Sequence, residues 1–336
     1  MKALRLLPPE AAHRVSIRAL ATGLGLKIAA PSLPIERFGL TFDNPLGIAA
    51  GFDKNGEAIA GLDRLGFGVI EIGSVTPEPQ PGNPKPRVFR LANDKAVINR
   101  YGFNSQGLEA VRRRLERLEK PRAVLGVNLG KNKATTHAAQ DYVRGAEAFA
   151  HLADYLVINV SSPNTPGLRS EQDPDRLVPL VQAVRDAAPK TPLLVKIAPD
   201  LDEAMLEEMA AALVEAPCDG AIISNTTIAR PDSLQGKHRD QAGGLSGLPL
   251  FEPSTEVLRK VYVYTKGQLP LVGVGGIHSA ASAYAKIRAG ASLLQLYTAL
   301  VYQGSQLVRD ILFGLPELLR AEGFDSLDEA IGVEHR

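Results

Sequence analysis

The sequence predicts an α/β protein, a (β/α)8 TIM barrel with a small N-terminal helical arm. Eight short, continuous apolar runs alternate with stretches of helical spacing, the rhythm of parallel βα units covered on both faces. Eight such units close a barrel, and a barrel of about 250 residues plus an arm accounts for the length of the chain. Polar side chains recur where those runs end, on the face of a barrel that carries active sites. An open doubly wound sheet is the alternative, but no GxGxxG follows the first run.

In chain order, residues 1–34 form the arm and 35–336 the barrel. A helix starts within Pro9–Arg14, where Pro9 suits a first turn. Leu4, Leu7, Val15, Ile17, Leu20 and Leu24 give it apolar surface. Lys2, Arg5, Arg14, Arg18 and Lys27 stand against Glu10 alone in the first 30 residues, a balance of +4 inside a chain of net +1. Such a segment either caps the barrel or lies, as an interfacial helix pair, on an anionic lipid surface. Barrel strands are expected at 46–51, 68–74, 123–130, 155–162, 193–199, 220–226, 271–276 and 293–298. Helical spacing marks 141–153, 174–188, 202–215 and 279–289, with Asp202 and Ser279 as starts. Residues 76–102 are too long for a plain βα connection. Their Pro-Gly-Asn-Pro-Lys-Pro run reads as a structured excursion holding a hairpin of 88–91 and 96–99.

Composition removes several function classes. Hydrophobic residues make up 45% and charged residues 22% of the 336, which argues against a mainly disordered chain. Lys+Arg at 38 against Asp+Glu at 37 gives no global case for nucleic-acid binding. Cys218 is the single cysteine, so no intramolecular disulfide, CxxC zinc site or thiolate-held iron–sulfur cluster is expected, and no metal. No apolar run approaches the roughly 20 residues of a membrane-spanning helix. Pro8, Pro9, Glu10 and His13 interrupt the place where a signal peptide would be apolar.

Asn128, Asn159 and Lys196 interrupt apolar runs, Asn225 ends one, and Lys54 follows the first. Singly, each reads as a satisfied core amide or an exposed edge. Together at strand ends they read as a site. A buried lysine is costly without an anionic partner, so Lys196 points to a bound anion or an electron-rich ring. Several amides offer paired donors and acceptors to a planar heterocycle. Gly273-Val-Gly-Gly276 ends the seventh run and Gln295-Leu-Tyr-Thr298 the eighth; the glycines read either as a tight turn or, where barrels commonly bind phosphate, as backbone N–H groups aimed at that anion. Gly243-Gly-Leu-Ser-Gly247 is either a further backbone contact or a flexible loop. Asn159-Val-Ser-Ser-Pro-Asn-Thr-Pro-Gly167 holds either a positioned base or a plain turn, and 166–173 is a candidate lid.

These motifs resemble the quinone-dependent, class 2 dihydroorotate dehydrogenases. The matching stretches are GIAAGFDKNG (47–56), IEIGSVTP (70–77), VINRYGFN (97–104), GVNLGKN (126–132) and NVSSPNTPGLR (159–169). They continue with VKIAPDL (195–201), SNTT (224–227), GGLSG (243–247), GVGGI (273–277) and GASLLQLYT (290–298). They run in order through essentially the whole chain. The resemblance implies a TIM barrel with noncovalent FMN that oxidises (S)-dihydroorotate to orotate in de novo pyrimidine synthesis, with a membrane quinone as electron acceptor.

Residue roles follow by position. Ser162 resembles the general base that takes the C5 proton, while the C6 hydride passes to flavin N5; Thr165 is implied in a water relay. Lys54, Asn99, Arg100, Tyr101, Gly102, Phe103, Asn159, Asn164, Asn225 and Thr226 resemble the orotate-holding set. Ala50, Gly51, Phe52, Asp53, Lys54, Ser74, Asn128, Asn159, Lys196, Ser224, Gly247, Gly276, Tyr297 and Thr298 resemble the FMN shell. His13, Arg90 and Tyr297 resemble the lining of a quinone passage. Class 1 enzymes resemble this chain in the barrel but carry cysteine at the Ser162 position and lack the arm; Cys218 lies far from that loop and reads as core packing. A chain that begins almost at the arm is expected to be a peripheral protein at the cytoplasmic face of a bacterial inner membrane, and a monomer. A dihydropyrimidine-type flavin enzyme would need iron–sulfur clusters, and a noncatalytic scaffold would not need Ser162, Lys54 and the asparagines.

Overall fold

Burial of both sheet faces dictates the architecture of the computed structural model, which describes residues 3–23 and 26–336, without the side chains of residues 3 and 5. Lys2, Leu24 and the Arg5 side chain, part of the expected basic and apolar arm, lie outside the described residues. The strands are β1 (Ile35–Arg37), β2 (Leu40–Phe42), β3 (Leu46–Ile48), β4 (Val69–Val75), β5 (Val88–Leu91), β6 (Ala96–Asn99) and β7 (Val124–Leu129). They continue with β8 (Tyr155–Asn159), β9 (Leu193–Ile197), β10 (Gly220–Ile223), β11 (Gly244–Gly247), β12 (Leu271–Val274) and β13 (Ala291–Leu296). Eight of them close a parallel barrel in the order β3-β4-β7-β8-β9-β10-β12-β13. Nearly every residue of these eight strands is buried, which is why the runs are continuously apolar rather than alternating.

All eight expected barrel strands are present, but most stop short. Burial continues past the last ladder pair, because the chain turns inward there to line a cavity. Residues 49–51, 160–162, 224–226 and 275–276 are therefore loop, and Gly51 has left the strand at φ +95°. The expected hairpin is β5–β6, and β11 pairs antiparallel with β6 to make it three-stranded. Gly243–Gly247 is thus not a flexible loop. The β1–β2 hairpin was not marked by the runs. Its Phe38 approaches Gly220 at the start of β10, so it covers the N-terminal end of the barrel.

The helices are α1 (Pro9–Ala21), α2 (Ile59–Arg64), α3 (Leu108–Leu115), α4 (Ala138–Phe149), α5 (Pro174–Ala187) and α6 (Glu203–Glu215). After them come α7 (Phe251–Tyr264), α8 (Ala280–Arg288), α9 (Thr298–Gln303), α10 (Gln306–Ala321) and α11 (Leu327–Ala330). The four marked helices correspond to α4, α5, α6 and α8, with Asp202 and Ser279 as caps. Among the described residues of the arm, a 3-10 turn (Ala3–Leu6) precedes one α-helix, rather than a pair of α-helices. Helix α1 buries Ile17 and packs against α2, where Gly61 lets the Leu20 carbonyl approach; a Cβ at Gly61 would lie 2.2 Å from that oxygen. Leu6, Leu7 and Val15 are exposed, beside exposed Arg14, Arg18 and Lys27, and Leu26 is exposed at the rim of the cavity.

Candidate functional site

The cavity is built where the strands of the barrel end. A space of about 470 Å³ is lined at one end by arm residues, among them Ala12, His13, Ser16 and Leu20, and at the other by strand-end side chains. Ser162, Lys54, Asn99, Tyr101, Gly102, Phe103, Asn159, Asn164, Asn225 and Thr226 all line it. So do Ala50, Gly51, Phe52, Ser74, Lys196, Ser224, Gly247, Gly276, Tyr297, Thr298, His13 and Arg90. Three expected residues do not. Arg100 turns outward, donating to Gln241 Oε1 (2.9 Å) and the Pro86 carbonyl (2.9 Å) and covering the Phe89 ring. Asp53 accepts from the Glu57 and Ala58 amides (2.9 and 2.7 Å), a buried carboxylate fixing the entry to α2; burial pushes its pKa up against those bonds. Asn128 stands one layer behind the lining.

Strand register makes that layer. Gly73 pairs with Asn128, and Asn159 with Lys196. Asn159 Nδ2 donates to Ser74 Oγ (3.0 Å) and Asn128 Oδ1 (3.2 Å), and Ser74 donates to Asn128. Asn225 Nδ2 donates to Ser161 Oγ (2.9 Å), which donates to Asn159 Oδ1 (2.9 Å). The amides therefore hold one another in fixed orientation. Beneath them lies Glu71, fully buried inside the barrel. It accepts from Gln295 Nε2 (2.6 Å), Asn128 Nδ2 (2.9 Å) and Tyr155 OH (3.1 Å), and it is 3.9 Å from Lys196 Nζ. Burial lowers the Lys196 pKa, and Glu71 opposes that shift. Lys196 is thus paired from below while its head still lines the cavity.

Ser162 is buried on the loop after β8, and its Oγ accepts from the Asn164 amide (3.3 Å). Thr165 Oγ1 nearby is buried with no partner among the described residues, as suits a site for an ordered water. The expected lid, residues 166–173, is tied down here. Arg169 donates to the Ser161 carbonyl (3.0 Å), Asp200 Oδ2 (2.7 Å) and the Thr226 carbonyl (3.1 Å), and Gln172 Oε1 accepts from the Ala198 amide (2.7 Å).

Lys54 Nζ donates to the Gly51 carbonyl (2.5 Å) and lies 4.0 Å above the Tyr101 ring. Burial pulls its pKa down to about 8, with Glu10 opposing and Arg87 adding to the shift. Arg87 clasps Glu10 of the arm with two bonds (2.7 and 3.2 Å) and holds the Pro81 and Asn83 carbonyls of the excursion. At the arm end, the His13 ring packs edge-on against Phe52 (5.4 Å between centroids) and 6.1 Å from Tyr297. Burial, with Lys54 adding, pulls His13 down to about 3, so it is neutral at physiological pH.

The opposite wall is glycine. Gly247, Gly275 and Gly276 have φ of +102°, +112° and +69°. A Cβ on Gly276 would lie 2.5 Å from Phe251 at the start of α7. Gly247, Gly275 and Gly276 thus bring bare backbone to the cavity wall, with the start of α7 packed close behind Gly276, a cradle suited to phosphate. A buried lysine, a wall of fixed amides and this cradle fit a phosphorylated flavin with a planar substrate beside it.

A closed (β/α)8 barrel with such a site at its strand ends belongs among cofactor-using barrel enzymes. The family model described as Dihydroorotate dehydrogenase matches residues 32–319. A dihydroorotate dehydrogenase (quinone) of Rhodospirillum rubrum is 55% identical, covering 98% of this chain and 92% of that relative. The mitochondrial dihydroorotate dehydrogenase (quinone) of Mus musculus is 51% identical over 99% of this chain and 88% of its own. A crystal structure of the Eimeria tenella enzyme in complex with ferulenol superposes with a TM-score of 0.94 at 42% identity, covering 98% of this chain and 96% of that one. The chain belongs to the dihydroorotate dehydrogenase family, in its quinone-dependent group, and is a flavin-type oxidoreductase.

Glu71 and Arg87 were given no role by sequence reasoning. For Glu71 the signal was available: a carboxylate inside an apolar run (Gly68–Val75), the same anomaly that marked Lys196. For Arg87 it was not, because its importance depends on the arm folding back 77 residues in sequence.

Proposed function

We propose that this chain oxidises (S)-dihydroorotate to orotate on noncovalent FMN and delivers the electrons to a membrane quinone. One observation supports this most: a single cavity joins the Ser162 loop and the strand-end amides to the aromatic residues under the arm. FMN, when bound, supplies the hydride acceptor and one- or two-electron traffic to the quinone. Lys196, Ser74 and the asparagines would hold its ring, and Gly247, Gly276 and Thr298 its phosphate. Asn99, Asn159, Asn164, Asn225 and Thr226 would fix the substrate ring, and Lys54 would face its carboxylate. Ser162 removes the C5 proton, and a water on Thr165 carries it onward. Fixed amides contribute by positioning, which places the substrate C6 hydrogen for transfer without further ordering.

The arm carries the second half-reaction in this reading. His13, Arg90 and Tyr297 line the quinone passage. Leu6, Leu7, Val15 and Leu26, with Arg14, Arg18 and Lys27, suit shallow insertion into an anionic lipid surface. Among the described residues no helix is long and apolar enough to cross a membrane. We propose a monomer attached peripherally, at the cytoplasmic face of the inner membrane in a bacterial host. Anaerobic mixing with dihydroorotate tests the reading: the flavin should bleach, and added quinone should restore its colour. A flavin that stays oxidised rejects the substrate.

A further inference from the structure

Behind the glycine cradle lies a charge that the proposed reaction does not use. Lys286 of α8 is fully buried. Its Nζ donates to Ser254 Oγ (2.9 Å) and Thr255 Oγ1 (3.0 Å) in the first turns of α7, and it lies 5.4 Å from the Phe251 ring centroid. No carboxylate among the described residues forms an ion pair with it. Burial pulls its pKa down to about 7, with Glu252 opposing and Arg259 adding to the shift. Arg259 is itself taken by Glu256 and Glu334.

The surroundings make this placement more costly, not less. An ammonium at the start of α7 sits against the positive end of a 14-residue helix. Its direct hydrogen-bond partners are hydroxyl oxygens only, and Glu252 acts on it without forming an ion pair. An uncompensated buried cation beside a helix N-terminus calls for an anion close by. The structure shows where one would go. Ser254 Oγ lies 3.2 Å from the Gly275 carbonyl, and Gly275 and Gly276 line the cavity on their other side. Gly273 brings β12 against the Lys286 stem, where a Cβ would lie 3.2 Å from Cδ. Lysine, hydroxyl and glycine turn form one stack ending at the cradle.

We infer that Lys286 is a positioning residue for a phosphate monoester dianion: through Ser254 it sets the Gly275–Gly276 turn, and its charge makes the site prefer a phosphorylated flavin over the unphosphorylated one. The inference rests on the flavin reading above. Its energetic content is electrostatic, so it discriminates between two flavins identical in the ring and different in the phosphate.

The test compares FMN with riboflavin. Flavin fluorescence recovered on diluting purified holoenzyme gives the FMN dissociation constant, and exchange against riboflavin gives the reference. Lys286→Met, similar in shape and uncharged, should weaken FMN by roughly tenfold or more while leaving riboflavin within about twofold. Lys286→Gln keeps a hydrogen bond to the α7 hydroxyls without the charge, and should give the same split if the methionine variant does not accumulate. Equal losses for both flavins, or none for either, overturn the inference and leave Lys286 a packing residue. If the unsubstituted protein itself binds both flavins equally, or neither, the flavin-phosphate reading fails first and takes the inference with it.

Discussion

Glu71→Gln isolates a charge inside the barrel. Two unit charges 3.9 Å apart attract by about 4 kcal/mol at an effective dielectric of about 20. Breaking a buried pair by removing one partner typically costs about 3–5 kcal/mol, because the survivor stays buried and uncompensated. Glutamine fills the same space. Its amide would meet a donor at Gln295 Nε2, but Gln295 Oε1 is buried with no partner among the described residues. A half-turn of the Gln295 amide brings that oxygen to the new N–H, and the Tyr155 hydroxyl can rotate to suit. The hydrogen bonds are recoverable and the charge is not. Glu71→Gln should therefore lower the unfolding free energy by about 3–5 kcal/mol. In a Lys196→Met background the same change should cost under about 1 kcal/mol or be stabilising, since Glu71 is then the uncompensated ion. Urea unfolding of the four proteins gives the coupling, with each measured at two FMN concentrations because cofactor binding adds to apparent stability. An equal cost of Glu71→Gln in both backgrounds would refute the pairing.

Three further outcomes follow from the geometry. Ser162→Ala should retain flavin but slow its anaerobic reduction by dihydroorotate at neutral pH by about 10²–10⁴-fold, read by stopped-flow bleaching; near-normal bleaching would exclude Ser162 as the base. Lys54 is cationic below its pKa of about 8 and neutral above it, so attraction for a substrate carboxylate is present below that pH and lost above. KM for dihydroorotate should rise as pH increases through about 8 and should lose that dependence in Lys54→Met, a flat wild-type profile being the contrary result. Gly61→Ala should push α1 off its seat, since the added Cβ would meet the Leu20 carbonyl at 2.2 Å. Quinone reduction should slow far more than flavin reduction at saturating dihydroorotate, where any effect on Lys54 shows as a raised KM instead; equal slowing of both half-reactions at saturation would mean that the arm supports the whole site.

Strand number, the β5–β6 hairpin and most of the cavity lining were legible because each leaves a one-dimensional mark. A fully buried parallel strand reads as an unbroken apolar run, and a functional polar residue breaks it. Asn128, Asn159 and Lys196 were visible for that reason. Strand ends were less legible, because residues 49–51 and 160–162 stay at least partly buried after leaving the ladder and carry only small side chains and one valine, so the run shows no break. Arg100 and Asp53 sit inside motifs of the family resemblance, yet one turns outward and the other braces a helix; a linear motif does not record which way a side chain faces. Helix α10 escaped notice because Gly314 and Pro316 interrupt it, although one face buries Val308, Ile311, Leu312 and Leu315. The arm's attachment was illegible in principle. Glu10 and Arg87 look like ordinary surface charges until the fold brings them together.

In the proposed reaction, that attachment bears on how the two half-reactions would share one cavity. Arg87 holds Glu10 of the arm, sits 5.3 Å from the Tyr101 ring centroid, and Tyr101 carries Lys54 on its face. Moving the arm therefore changes the field at Lys54 as well as the opening beneath α1. The opening itself is nearly free of charge. His13 is held neutral by burial, and burial likewise raises the Tyr297 pKa well above its ordinary value. A passage lined by neutral rings and aliphatic side chains desolvates an apolar carbonyl acceptor cheaply, whereas a polyanionic dinucleotide would have to shed its water with little to replace it. Besides the site lysines, Arg90 and Lys95 are the charged residues of the lining, and Arg90 already donates to the Leu7 carbonyl of the arm. The residues that seat the arm are thus the same ones that tune the site below it, so an arm displaced far enough to widen the passage also alters the binding of the substrate carboxylate.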